Sequence, residues 1–292
     1  MKIVQLSPAM PPANSFHNTR IAPTPSGYLH LGNAASFLLT ASLAAQYGAR
    51  VLLRIDDMDR ARFRPEYLQD VFDTLQFLGI AWQEGPADAT DFEAHWSQRH
   101  RLPLYNGLLQ QLAEQRLVYA CTCSRTDMLR LRPDGLYTGT CRNKGLPLET
   151  PGAAWRIRTD HQVRLTVELR NAEAITTYLP QSQHDFIVRK KDGAPAYQLS
   201  SLADDVHFGI DFIVRGADLW DSTLAQLYLA QCLDLAAFQK TVFLHHPLVP
   251  DADGNKLSKS AGATSVHYLR QTNAPALQEE LRSITARFLS EV

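Results

Sequence analysis

The stretch RIAPTPSGYLHLGNA, residues 20–34, decides how the chain is read. Two prolines, two glycines and a histidine stand ahead of a long apolar run, the composition of a turn that joins a strand to a helix N-terminus. In such a turn the backbone N–H groups and the positive end of the helix dipole face phosphate oxygens together. His30 adds an imidazole that can donate to a phosphate gaining charge during reaction. The plainer alternative is a Pro/Gly turn with His30 as a helix cap.

Outward from this turn the pattern is a strand and glycine turn (20–27), a helix (33–47) and the β-rich RVLLRI (50–55), a βαβ unit opening a parallel sheet. Helices are expected over 65–78, with Pro65 in the first turn, and over 96–115. Residues 119–191 then change character, being basic, cysteine-bearing and richer in short extended pieces. The strand and helix alternation resumes with a helix over 198–206, the strand DFIVR from Asp211, a helix over 219–233 and a strand over 241–249. The expected fold is α/β, a doubly wound parallel nucleotide-binding sheet carrying a basic insertion. The expected division is a flexible extension over 1–18, a first half of the catalytic domain over 19–118, the insertion over 119–191, a second half over 192–260 and a helical segment over 261–292.

Of the 292 residues, 45% are hydrophobic and 20% charged, which excludes a disordered, collagenous or coiled-coil chain. No apolar run approaches the roughly 18–20 residues that span a bilayer, and residues 1–20 carry no signal-peptide core, so a cytoplasmic protein without membrane contact is expected. The net charge of −1 hides an asymmetry: +6 over residues 116–191, between flanks of −2 and −5. A basic middle is a candidate phosphate footprint, or simply an arginine-rich solvated face.

A second motif, GNKLSKS over 254–260, is rich in lysine and serine and suits a triphosphate clamp, although KxxK loops alone are commonly just solvated. In this order, HLGN at His30 and KLSKS at Lys256 resemble the two signature motifs of the class I aminoacyl-tRNA synthetases. RIDDMDRAR from Arg54, YQLSSLADD from Tyr197 and IVRGADLWDST from Ile213 resemble the glutamyl branch. Within it, the RGADL string and the expected lack of an anticodon-binding domain resemble the paralogues that glutamylate queuosine in tRNA(Asp). The resemblance spans residues 19–260, and it implies that the insertion over 119–191 bears zinc and binds the RNA acceptor.

That resemblance implies that His30, Gly32, Asn33, Lys256, Ser258 and Lys259 bind ATP, with His30 and Lys259 catalytic. It places Arg20, Ala22 and Thr24 at the amino acid, Asp56 at its ammonium, and Tyr197 and Arg215 at its side-chain carboxylate. The chemistry agrees, because a free amino acid presents a cation and an anion, and arginine can grip a carboxylate bidentately. A surface ion pair of Arg215 with Asp218 or Asp221 is the alternative. The chain departs from the family pattern at Asp56, where glutamate is usual, and at Asn33, where the superfamily signature has a second histidine.

Cys121, Cys123 and Cys141 would supply three thiolates of a closed, structural zinc site, one per chain. In the resembling family a tyrosine completes the set, which implies Tyr137; His161 or water are the other choices, and three reduced, metal-free cysteines the plain one. Cys232 is read as core. The expected partners are ATP with Mg2+, L-glutamate and queuosine-containing tRNA(Asp), acted on by a monomer. The competing expectations are a glutamate-adenylating enzyme with a tRNA 3′ end or a non-tRNA acceptor, and a silent nucleotide- or RNA-binding module.

Overall fold

The computed structural model describes residues 15–249 and 265–291. β1 (Asn18–Ile21), α1 (Leu31–Tyr47) and β2 (Arg50–Leu53) form the expected βαβ unit, the strands pairing in parallel with Arg20 opposite Leu52. Gly48, at φ 73°, ends α1 in the left-handed conformation that glycine adopts without steric cost. The chain continues through α2 (Pro65–Phe77), α3 (Ala89–Asp91), α4 (Leu102–Glu114), β3 (Val118–Cys121), α5 (Arg125–Leu131), β4 (Ala154–Ile157), β5 (Arg164–Leu169), β6 (Ile175–Tyr178) and β7 (Ile187–Arg189). Then come α6 (Tyr197–His207), β8 (Phe212–Gly216), α7 (Trp220–Cys232), α8 (Ala236–Gln239), β9 (Val242–His246), α9 (Val266–Thr272) and α10 (Ala274–Ser290).

β8 and β9 pair in parallel, β5 adds to β9 in parallel, and β6 closes that edge antiparallel to β5. β1 lies beside β8, where the Asp211 N–H donates to the Asn18 carbonyl (3.1 Å) and Arg20 Nη1 to the Val214 carbonyl (3.2 Å). Period-two alternation then sends side chains to both faces. Phe212, Val214 and Leu244 pack with α1 and with Leu277, Leu281 and Phe288 of α10, while Ile213 and Phe243 pack with α6 and α7 on the other face. Val51 and Leu53 face α2, and Leu52 faces the opposite way. This is the doubly wound arrangement. No helix of the described residues is long and apolar enough to cross a membrane.

Three expectations need correction. β5 falls inside the stretch expected to be an insertion, yet it joins the main sheet, with Glu168 opposite Val242 and Leu169 opposite Phe243. Only β3, β4 and β7 form a separate antiparallel sheet. The expected flexible extension overlaps the fold as well: β1 starts at Asn18, and Phe16 stacks on Phe212 at 4.4 Å. The helix expected over 96–115 begins only at Leu102. Asp57 accepts from Ser97 Oγ (2.6 Å) and the Gln98 N–H (2.8 Å), which holds the preceding segment in tight turns.

The half-sheets are tied by Asp204 on α6, which is fully buried. It accepts from Arg101 Nε (2.7 Å) and Nη2 (3.0 Å), Gln98 Nε2 (2.9 Å) and Tyr105 Oη (2.6 Å). Burial pushes its carboxyl up, but Arg101, Arg54 and Tyr105 outweigh burial and hold it below the ordinary value. Its contribution to stability is therefore present above the unfolded-state pKa and lost as pH falls through the folded one. Asp204→Ala leaves Arg101 buried without a counter-ion and is expected to cost about 3–5 kcal/mol in urea denaturation. A loss under about 1 kcal/mol would show that this network does not hold the halves together.

Candidate active site

A cavity of about 570 Å3 opens at the carboxyl ends of β1, β2, β8 and β9. From β1 the chain leaves for β2 on one side, and β8 lies on the other, so the cavity sits where the strand order reverses, the usual ligand site of an open α/β sheet. Its walls bring together nine of the expected residues: Arg20, Ala22, Thr24, His30, Gly32, Asn33, Asp56, Tyr197 and Arg215. Lys256, Ser258 and Lys259 lie outside the described residues. Val249, the last described residue before them, lines the cavity, and Ser265, the first described residue after them, bridges His30.

His30 is both the cap and a cavity residue. Its Nδ1 accepts from the Asn33 N–H (3.3 Å), and Asn33 Oδ1 accepts from the His30 N–H (3.1 Å), a reciprocal box at the start of α1. An Nδ1 that accepts leaves the ring proton on Nε2, the tautomer that can donate to a phosphate. Gly32 permits this pose, because a Cβ there would sit 3.1 Å from the His30 ring. Asn33 thus fills its divergent position with a capping role.

The deeper wall is a buried charge cluster. Arg54, on the strand exit after β2, holds Asp56 bidentately (2.8 and 3.0 Å) and donates to Asp205 Oδ1 (2.7 Å) and Ser201 Oγ (3.0 Å). Asp205 Oδ1 also accepts from Arg20 Nε (3.2 Å). Arg215, 3% exposed, donates through Nη1 to Gln226 Oε1 (2.9 Å), while its Nε and Nη2 find no partner. Burial excludes the surface ion pair with Asp218 or Asp221. Burial also pushes the Arg215 guanidinium down to about 10; Tyr197 and Asp205 oppose this, Arg20 and Arg54 add to it. Burial likewise pushes the Asp56 carboxyl up to about 6, against the pull of Arg54. Three arginines against Asp56 and Asp205 leave this cluster at +1.

Arg54, Asp205 and His246 went unmarked in the sequence, although the first two stand inside quoted motifs. The signal was the charge itself, RIDD and ADD, on segments whose apolar neighbours place them at buried strand and helix positions. His246 lines the cavity, its Nε2 2.9 Å from Ser36 Oγ and its Nδ1 2.8 Å from the Pro247 carbonyl. Burial pushes its ring below the ordinary histidine value.

The cysteines converge in the small sheet. The Sγ atoms of Cys121, Cys123 and Cys141 lie within 4.8 Å of one another, with Cys123 and Cys141 at 3.5 Å. Thiolates around a tetrahedral zinc stand roughly 3.8 Å apart, given a Zn–S bond of about 2.3 Å, so the group fits the ion. The Tyr137 hydroxyl is within hydrogen-bond reach of Cys121 and accepts from the Cys141 N–H (2.8 Å). His161 instead stacks on His184 at 3.7 Å and is absent from the group. Cys232 is half-buried against the main core.

Residues 17–290 match the model of the family described as tRNA synthetases class I (E and Q), catalytic domain. The chain is 38% identical over 241 residues to a glutamyl-Q tRNA(Asp) synthetase of Pseudomonas aeruginosa, covering 82% of this chain and 76% of that protein. It is 34% identical over 277 residues to one of Rhodobacter capsulatus, covering 88% and 95%. A solved glutamate tRNA ligase from Elizabethkingia meningosepticum superposes with a TM-score of 0.69 at 22% identity over 85% of this chain, which spans about half (53%) of that longer protein and shares its fold. The chain therefore belongs to the class I tRNA synthetase family, in the group of the glutamyl-Q tRNA(Asp) synthetases, and is an enzyme of the ligase class.

Proposed function

We propose that the enzyme joins L-glutamate to ATP as glutamyl-adenylate and passes the glutamyl group to queuosine in the anticodon loop of tRNA(Asp). The observation that carries the amino-acid half is Arg215, a buried guanidinium with two donors unpaired at a site of charge +1. Glutamate carries −1 and would neutralise the site, its side-chain carboxylate meeting Arg215 and Tyr197 and its ammonium meeting Asp56. Glutamine is neutral and leaves the charge uncompensated. The acceptor half is supported by what the relatives are named for.

In the first step a glutamate α-carboxylate oxygen attacks the α-phosphorus of Mg-ATP, and pyrophosphate leaves. His30 Nε2–H and, from the segment beyond the described residues, Lys256, Ser258 and Lys259 would stabilise the charge on the phosphoryl oxygens. In the second step a hydroxyl of queuosine attacks the adenylate carbonyl and AMP leaves. The protein performs no covalent step, so positioning and electrostatics supply the rate. Zinc, held by Cys121, Cys123 and Cys141 with Tyr137 as fourth ligand, would contribute folding energy to the β3–β4–β7 region and no chemistry.

Purified enzyme is expected to catalyse ATP–pyrophosphate exchange with glutamate and not with glutamine, and to transfer labelled glutamate to queuosine-containing tRNA(Asp) but not to the unmodified RNA. Recovery of the label on the 3′-terminal adenosine would overturn the acceptor; exchange without amino-acid preference would overturn the pocket.

Asp56 sets a pH dependence. A bound ammonium favours the carboxylate, so glutamate binding should strengthen as pH rises through about 6 and weaken below it. The KM for glutamate in exchange is expected to climb by up to about tenfold per pH unit on the acid side. Asp56→Asn should raise KM above pH about 6, converge with the wild type on the acid side and abolish the inflection; an unchanged profile would remove Asp56 from the ammonium site.

Elemental analysis is expected to give about one zinc per chain. Stripping it should unfold the small sheet and depress transfer to RNA more than exchange, because the cysteines lie outside the nucleotide cavity. Metal-free protein with full transfer activity would refute the site.

A further inference from the structure

Three arginines line the cavity, and they are not held alike. Arg20 pairs with Asp205, and Arg54 pairs with both Asp56 and Asp205. Arg215 has no carboxylate partner among the described residues; the acceptor it meets is the side-chain amide of Gln226, on α7, at 2.9 Å. Two further neighbours are neutral as well. The guanidinium stands over the Phe243 ring, 5.0 Å from its centre. His245 lies opposite Arg215 in the β8–β9 register, and burial, then Arg215 itself, push its ring down to about 3.

Gln226 is fully buried and is not part of the cavity wall, so it meets Arg215 from the protein side. Its amide has one workable orientation, Oε1 toward the guanidinium, because the opposite one would set donor against donor. That orientation leaves Gln226 Nε2 buried without a partner. A glutamate at 226 would remove this orphan and give Arg215 the carboxylate that Arg20 and Arg54 have. The amide instead occupies only Nη1 and adds no charge. The donors left over, Nε and Nη2, carry the parallel N–H bonds of the guanidinium fork, the edge that takes a carboxylate through two hydrogen bonds. A carboxamide can accept from one of these donors only, and its own NH2 would face the other.

We infer that Gln226 is a positioning residue that sets the amino-acid specificity: holding Arg215 through a neutral amide, it leaves the fork edge free and the positive charge intact, so the site selects a side-chain carboxylate over a carboxamide. The inference rests on the glutamate reading above and adds to it the residue that keeps Arg215 selective.

The test is ATP–pyrophosphate exchange by the full chain with glutamate and with glutamine, alongside thermal melts. Gln226→Glu pairs a cation that is already buried, so Tm is expected to hold or rise, while the ratio of kcat/KM for glutamate to that for glutamine falls about a hundredfold. A merely structural Gln226 would lower Tm and leave the ratio untouched. Gln226→Met keeps the charge of Arg215 and removes only the acceptor; KM for glutamate is expected to rise about tenfold at unchanged kcat, with the preference for glutamate retained. Should Gln226→Glu fail to fold, this KM shift carries the test, and a wild-type KM in Gln226→Met would overturn the inference. A folded Gln226→Glu with wild-type preference, or a Gln226→Met that loses the preference as fully as Gln226→Glu, would overturn it while leaving the glutamate reading in place. Wild-type enzyme that exchanges equally with glutamine would overturn both.

Discussion

The grip of Arg54 on Asp56 and Asp205 is the constraint from which the rest of the site follows. It joins the end of β2 to α6, and through Asp205 it fixes Arg20 on β1, so three elements meet at one buried guanidinium. Such a cluster is a poor device for stability, since desolvating five charges costs about as much as their attraction returns. Its product is a fixed excess of positive charge at the carboxyl ends of the strands. A free surface arginine would lose much of that field to solvent. A buried one, left with two unpaired donors as Arg215 is, keeps it for whatever anion enters.

Asp56 can be understood from the same grip. Residues 54 and 56 alternate to the same side of an extended segment, so their side chains stand next to each other. The short aspartate side chain turns flat onto the Arg54 fork, both of its oxygens engaged. A longer glutamate would carry its carboxylate past the fork and toward the cavity. The departure from the usual residue therefore exchanges reach for an anchored carboxylate, and any cation bound there must use the remaining lone pairs.

What could be read from the sequence was what depends on local chemistry. The turn at residues 20–34 announced itself through proline and glycine, the apolar periods of α1, α2 and α7 placed the helices to within two residues, and clustered cysteines met in space. What could not be read depends on distant partners. Arg54 and Asp205 lie 151 positions apart, and either alone reads as an ordinary charge. β5 reads as part of a basic insertion because its outward residues are polar, Arg164, Thr166 and Glu168, while pairing with β9 is a long-range event. The late start of the helix expected from Trp96 has the same origin, since Asp57, forty residues upstream, captures Ser97.

The pairing of β5 with β9 also changes how the cysteine-bearing region should be regarded. Were residues 119–191 a separate insertion, its small sheet could tilt on two hinges, and a cation there would have no fixed relation to the nucleotide cavity. Instead the chain leaves that sheet at Ile157, enters the main sheet as β5 and β6, and returns as β7. Leu165 and Val167 pack in the same core as Ile213 and Phe243. Asp185, just before β7, then bonds Tyr119 (2.9 Å) and the Thr159 N–H (3.0 Å), closing the circuit from inside. The small sheet is thus fastened to the catalytic sheet along its length, so that side chains in it keep a set distance from Arg215 and His30.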